Sequence, residues 1–85
     1  MFDKFIFRRI AAYNTLKEYH DNLGKMIQND NLRTRCLKEV IVWDELDRNT
    51  CVVDVLLSPE RFTYKQILKV IAFIAYYSDL DKDVR

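Results

Sequence analysis

One glycine and one proline in 85 residues leave little turn material for a sheet of many strands. A single glycine also rules out a glycine-rich phosphate loop. The thiols and imidazole are as sparse: Cys36, Cys51 and His20 are the whole set, and none falls at the close pair spacing of a zinc module. No metal or cofactor is therefore expected. The longest apolar run, Val70 to Tyr77, falls well short of the roughly 18 residues that span a bilayer. No sign of charge dominates either. The net charge is +1, with nine Lys/Arg against eight Asp/Glu in residues 1–49 and five of each in 50–85. Such mixing lacks the broad electrostatic footprint of a dedicated nucleic-acid binder.

Asp3, Lys4, Arg8 and Arg9 interrupt any signal peptide at the N-terminus. Cys36 and Cys51, fifteen positions apart, are thus expected as thiols in a reducing, intracellular compartment, serving as small core residues.

What is present is apolar and helical in period. Apolar residues make up 49% of the chain, enough for a folded core rather than disorder. The length suits one domain over 1–85 with a thin stability margin. Phe2, Ile6, Ile10, Tyr13, Leu16, His20, Leu23 and Ile27 recur at spacings of four or three, which places them on one helical face. The pattern predicts a helix over about 3–23, capped by Gly24, or on to 28 if the glycine is absorbed. Gln28-Asn29-Asp30-Asn31 is a polar break in which Asp30 or Asn31 can cap a second helix over 32–46. In that helix Leu32, Cys36, Val40 and Trp43 form one stripe, although Val40-Ile41-Val42-Trp43 is also a good strand sequence.

After the Asp47–Thr50 break, residues 50–57 read two ways. As a short helix they turn Val52, Val55 and Leu56 inward. As a strand they pair with 39–46 in a hairpin, giving an α+β alternative with a hairpin at 39–57 packed on two helices. The last helix, expected over 58–79, opens on Ser58-Pro59-Glu60, an N-cap, a first-turn proline and an acid at the positive end of the helix dipole. Its apolar arc is far wider than an ordinary surface stripe; only Lys65, Gln66, Lys69, Ala72, Tyr76 and Asp79 are left for solvent. The tail from Leu80 is polar and is expected to fray. The whole reads as an all-α bundle of three main helices plus a short element at 50–57.

Chemistry is thin. His20, the sole histidine, lies in the apolar stripe and reads as a packing residue rather than a general base. Asp79, Asp81 and Asp83 imitate the opening of a calcium loop, but Val84 holds the position that needs glycine. An enzyme is not expected. Arg8 and Arg9 on the first helix, with Arg33, Arg35 and Lys38 on the second, form a modest basic patch if the two helices lie side by side, and a patch of that kind contacts phosphates. The main expectation rests on apolar surplus. Three short helices cannot easily hide all the inward candidates, and Phe2, Phe5, Phe73, Tyr76 and Tyr77 are offered as interface residues for a homodimer or a protein partner.

Lys69 to Tyr76, with Phe62 upstream, resembles the central-helix motif of Bcl-2-type apoptosis regulators over less than a quarter of the chain. That resemblance implies a helical regulator, as a third alternative. The Trp-Gly-Arg of the motif is Ile67-Leu68-Lys69 here, and the glycines that follow it are Tyr77 and Ser78.

Overall fold

The computed structural model describes residues 4–41 and 50–84, with side chains from residue 6 onward. Among the described residues four α-helices follow one another: α1 (Lys4–Met26), α2 (Asp30–Lys38), α3 (Val52–Leu57) and α4 (Tyr64–Val84), with a 3-10 turn, Pro59–Arg61, ahead of α4. The protein is a small all-α bundle, and no strand occurs among the described residues. Helix α4 packs against α1, α2 and α3 and is the hub of the fold.

Four hydrogen bonds fix how α1 and α4 lie. Arg9 Nη2 donates to the Phe62 carbonyl at 2.8 Å, and Ser78 Oγ donates to the Met26 carbonyl at 3.0 Å. The Asp81 carboxylate accepts from the backbone N–H of Gln28 at 3.0 Å and of Asn29 at 2.9 Å. In every case the partners are 52 or 53 positions apart, so the two helices run parallel with one constant offset. By that offset Tyr64, where α4 starts, stands level with position 11. The first two turns of α1 therefore overhang by about 10 Å, which leaves Ile6, Phe7 and Ile10 half-exposed or more. The predicted stripe packs only from Tyr13 onward, through Leu16, Leu23 and Ile27, with Ala12 buried beside it.

Gly24 does not end α1. It keeps helical backbone and sits in open space, and the helix continues to Met26. The cap of α2 is Asn29, one residue before the expected pair, whose side chain accepts from the Leu32 N–H at 3.1 Å. The second helix does not reach 46. It stops at Lys38, and Glu39 turns to extended backbone. The β-branched run that begins at Val40 prefers that conformation. Val40 forms one antiparallel bridge with Cys51, with Ile41 N–H on the Thr50 carbonyl at 2.8 Å and Val52 N–H on the Glu39 carbonyl at 2.9 Å. One bridge step of the hairpin alternative thus exists, and positions 42–46 of the expected helix lie outside the described residues. Residues 52–57 are helical, with Val52, Val55 and Leu56 buried as the helical reading places them.

The start signal at Ser58 makes only the 3-10 turn. The α-helix begins five residues later behind Thr63. The Thr63 hydroxyl accepts from Gln66 N–H at 3.2 Å, while Gln66 Oε1 accepts from Thr63 N–H at 2.9 Å. This reciprocal pair is a capping box, and it draws Gln66, expected in solvent, into burial. At the other end the tail does not fray. α4 runs to Val84, and Asp81, 1% exposed, holds two backbone N–H groups of the α1–α2 connection.

Candidate interaction site

Helix α4 has two faces of opposite character. Ile67, Val70, Ile74, Tyr77 and Ser78 point into the core. Lys65, Leu68, Ala72, Tyr76, Asp79 and Asp83 point to solvent. The slab dimensions of the molecule, 47 × 29 × 18 Å, leave room for two helix layers in the thinnest direction. The hub helix is therefore not enclosed, and it keeps an outer face.

Midway along that face lies an open, apolar hollow of about 350 Å3 lined by Lys69, Ala72, Phe73 and Tyr76. Ala72 has the smallest side chain of the four. Tyr76 is 58% exposed, and its ring meets the ring of Tyr77 edge-on, with centroids 5.4 Å apart and planes at 83°. Lys69 holds its ammonium 5.9 Å from the centroid of the Phe73 ring. A rigid aromatic, a small alkyl side chain and a cation near a ring are the parts from which protein interfaces build their central anchors.

Of the expected interface residues, Phe73 and Tyr76 come together here. Tyr77 does not join them: it is 3% exposed, and its hydroxyl donates to the Glu39 carboxylate. One step along a helix rotates a side chain by about 100°, so adjacent tyrosines cannot share a surface. The Glu39 hydrogen bond, helped by burial, pushes the Tyr77 hydroxyl above its usual pKa. Phe2 and the side chain of Phe5 lie outside the described residues.

The basic residues divide into two groups. Arg9 is spent internally: its guanidinium donates to the Tyr13 hydroxyl at 2.7 Å and to Phe62, and it stacks 5.1 Å from the Tyr13 ring centroid. Arg33 donates to the Ile27 carbonyl at 2.8 Å and pairs with Asp30. Arg35 lies 5.8 Å over the Tyr77 ring, and Arg8 and Lys38 are exposed. Arg33 thus sits beside Ile27 at the C-terminal end of α1, and Ile27 is eighteen residues past Arg9, or about 27 Å along the helix. Since α2 packs on α3 and α4 rather than along α1, the expected single patch is two separate groups.

His20 is exposed, correcting the packing role expected for it, with Nδ1 3.3 Å from Asp21 Oδ1. It edges a second hollow, about 370 Å3, between α1 and the Leu56–Glu60 segment. Cys36 is fully buried, and burial, then the nearby Glu39 charge, pushes its thiol up to about 12. Asp79, Asp81 and Asp83 do not form a loop: the helix is continuous through them and Asp81 faces inward, away from the exposed other two. No cluster of three metal-ligating side chains occurs among the described residues. No helix among them is long and apolar enough to cross a membrane.

Fold and face together define a small helical bundle with an amphipathic hub helix exposed along one side. No protein-family model, curated protein or solved structure matches the chain.

Proposed function

We propose that this chain is a non-catalytic protein–protein interaction module that acts as a homodimer through the outer face of α4. The observation that carries this reading is Tyr76, more than half exposed on the helix that organises the core, where it lines an apolar hollow with Ala72 and Phe73. Large aromatics braced by a buried neighbour lose little freedom on binding and anchor interfaces well. The non-catalytic part draws support from a thiol held protonated and from a histidine whose described partner is an exposed adjacent carboxylate. The division of the basic residues favours protein over nucleic acid as the partner. A reducing, intracellular setting fits the two cysteines, which no disulfide joins.

Sedimentation equilibrium tests the reading. The wild-type chain is expected to show twice its 10.3 kDa mass at high micromolar concentration, and Tyr76→Ser to shift toward the monomer while keeping its helical circular dichroism. A wild-type chain that stays at one mass throughout overturns it.

A further inference from the structure

The outer face of α4 carries a pattern that its own helix does not explain. Lys65, Lys69, Ala72, Tyr76, Asp79 and Asp83 follow one another at intervals of four, three, four, three and four. This is the spacing of a two-helix seam, in which alternate steps of three and four keep side chains facing one partner helix. Five of the six are exposed and Lys69 is partly buried. The order along the seam is two cations, a small residue, a large aromatic, then two anions.

The pattern is also symmetric. Positions 65 and 83 each lie nine residues from position 74, positions 69 and 79 five, and positions 72 and 76 two. Each pair is complementary: lysine with aspartate, lysine with aspartate, alanine with tyrosine. A two-fold axis lying outside the outer face, level with position 74, would lay a second copy of the helix antiparallel on the first. It would set Lys65 and Lys69 opposite Asp83 and Asp79 of the second copy. The same operation carries the tyrosine of each copy into the hollow over the alanine of the other. An isologous interface requires this self-complementarity, because the same patch must serve both sides.

A second observation is independent of the symmetry. Helix termini prefer acids at the N-terminal end and bases at the C-terminal end. α4 has no acid in its first turn and carries Lys65 there, while Asp79 and Asp83 fall in its last two turns beside a single Lys82. The seam charges oppose the dipole of their own helix, whereas an antiparallel second copy would set each of them beside a charge of opposite sign. Exposed ion pairs add little affinity, but they select orientation and register.

From this geometry we propose that α4 pairs with α4 of a second copy, antiparallel, on a two-fold axis level with position 74. The proposal rests on the homodimer reading and fixes its surface and register. Swapped charges test it with the full chain. Lys65→Asp with Lys69→Asp makes one variant, and Asp79→Lys with Asp83→Lys makes the other. Both sets of substitutions suit the helix dipole, so loss of pairing cannot be ascribed to a weakened helix, and circular dichroism checks that the helix persists. Each variant alone is expected to dimerise at least about tenfold more weakly, since like charges then face each other along the seam. Mixed one to one, the two variants are expected to form a heterodimer within about threefold of wild-type affinity. If each variant alone dimerises like wild type, the antiparallel register is overturned and the dimer must use another face. If the mixture fails to recover, the register is likewise overturned. If the wild-type chain itself stays monomeric, the homodimer reading falls, and the register with it.

Discussion

Asp81 is the residue whose role departs most from its sequence context. Flanked by acids and a lysine, it reads as a solvated charge, yet it is buried and binds two backbone N–H groups of the α1–α2 connection. Replacing it with alanine strands both donors, and an unsatisfied buried donor costs roughly 1–3 kcal/mol. Asp81→Ala is therefore expected to lose about 2–4 kcal/mol of stability in urea denaturation, while Asp83→Ala, exposed on the same turn, loses under about 0.5 kcal/mol. Burial of this kind had no local signal; it depends on which loop the helix end meets. Cys36 supports a pH prediction. Its thiol is raised from 9.0 to about 12, so the folded state favours the protonated form. A raised pKa stabilises below the unfolded value and is lost as pH climbs through the folded one. Stability is expected to be flat with respect to this group below about pH 9 and to fall between about 9 and 12, with a shallower fall in Cys36→Ala.

Among the elements, helix existence was legible and helix ends were not. Periodicity located α1 and α4 because it reports which faces are buried, and burial is what holds short helices together, whereas the short run at 50–57 suited helix and strand alike. The ends obeyed local competitions that the pattern does not weigh. Ser58-Pro59-Glu60 is a sound start signal, but Thr63-Tyr-Lys-Gln66 stands just behind it and offers a reciprocal box. The two signals can be ranked by experiment. Thr63→Val is expected to cost about 1 kcal/mol, in the range of a lost N-cap, whereas Ser58→Ala, whose side chain makes no cap bond, costs little. Equal losses in the two variants, read from thermal denaturation, would contradict that ranking. α2 ended early for a related reason: the Glu39 and Ile41 backbone groups are committed to the Cys51 bridge. The candidate site was half legible. Tyr76 and Phe73 stood out as apolar surplus, but the seam ran through residues set aside as merely solvent-facing.

At the scale of the whole molecule, the constant offset between α1 and α4 decides most of what sequence could not. It exposes Ile6 and Ile10, while the two-layer packing leaves the hub helix open on one side. An open side changes how stability should be measured. If copies pair, mass action adds to the apparent stability, so the melting temperature should rise by several degrees between about 5 and about 200 μM chain. The Asp79→Lys, Asp83→Lys variant should show a smaller rise over the same range. The offset also bears on the order of events during synthesis. Parallel neighbours joined by a long excursion cannot form a local hairpin, so α1 must wait for a partner more than fifty residues downstream. Its main companion, α4, is made only after α2 and α3. Until α4 follows, the apolar face of α1 lacks its main cover, and the α1–α2 connection lacks the Asp81 carboxylate that binds its two N–H groups.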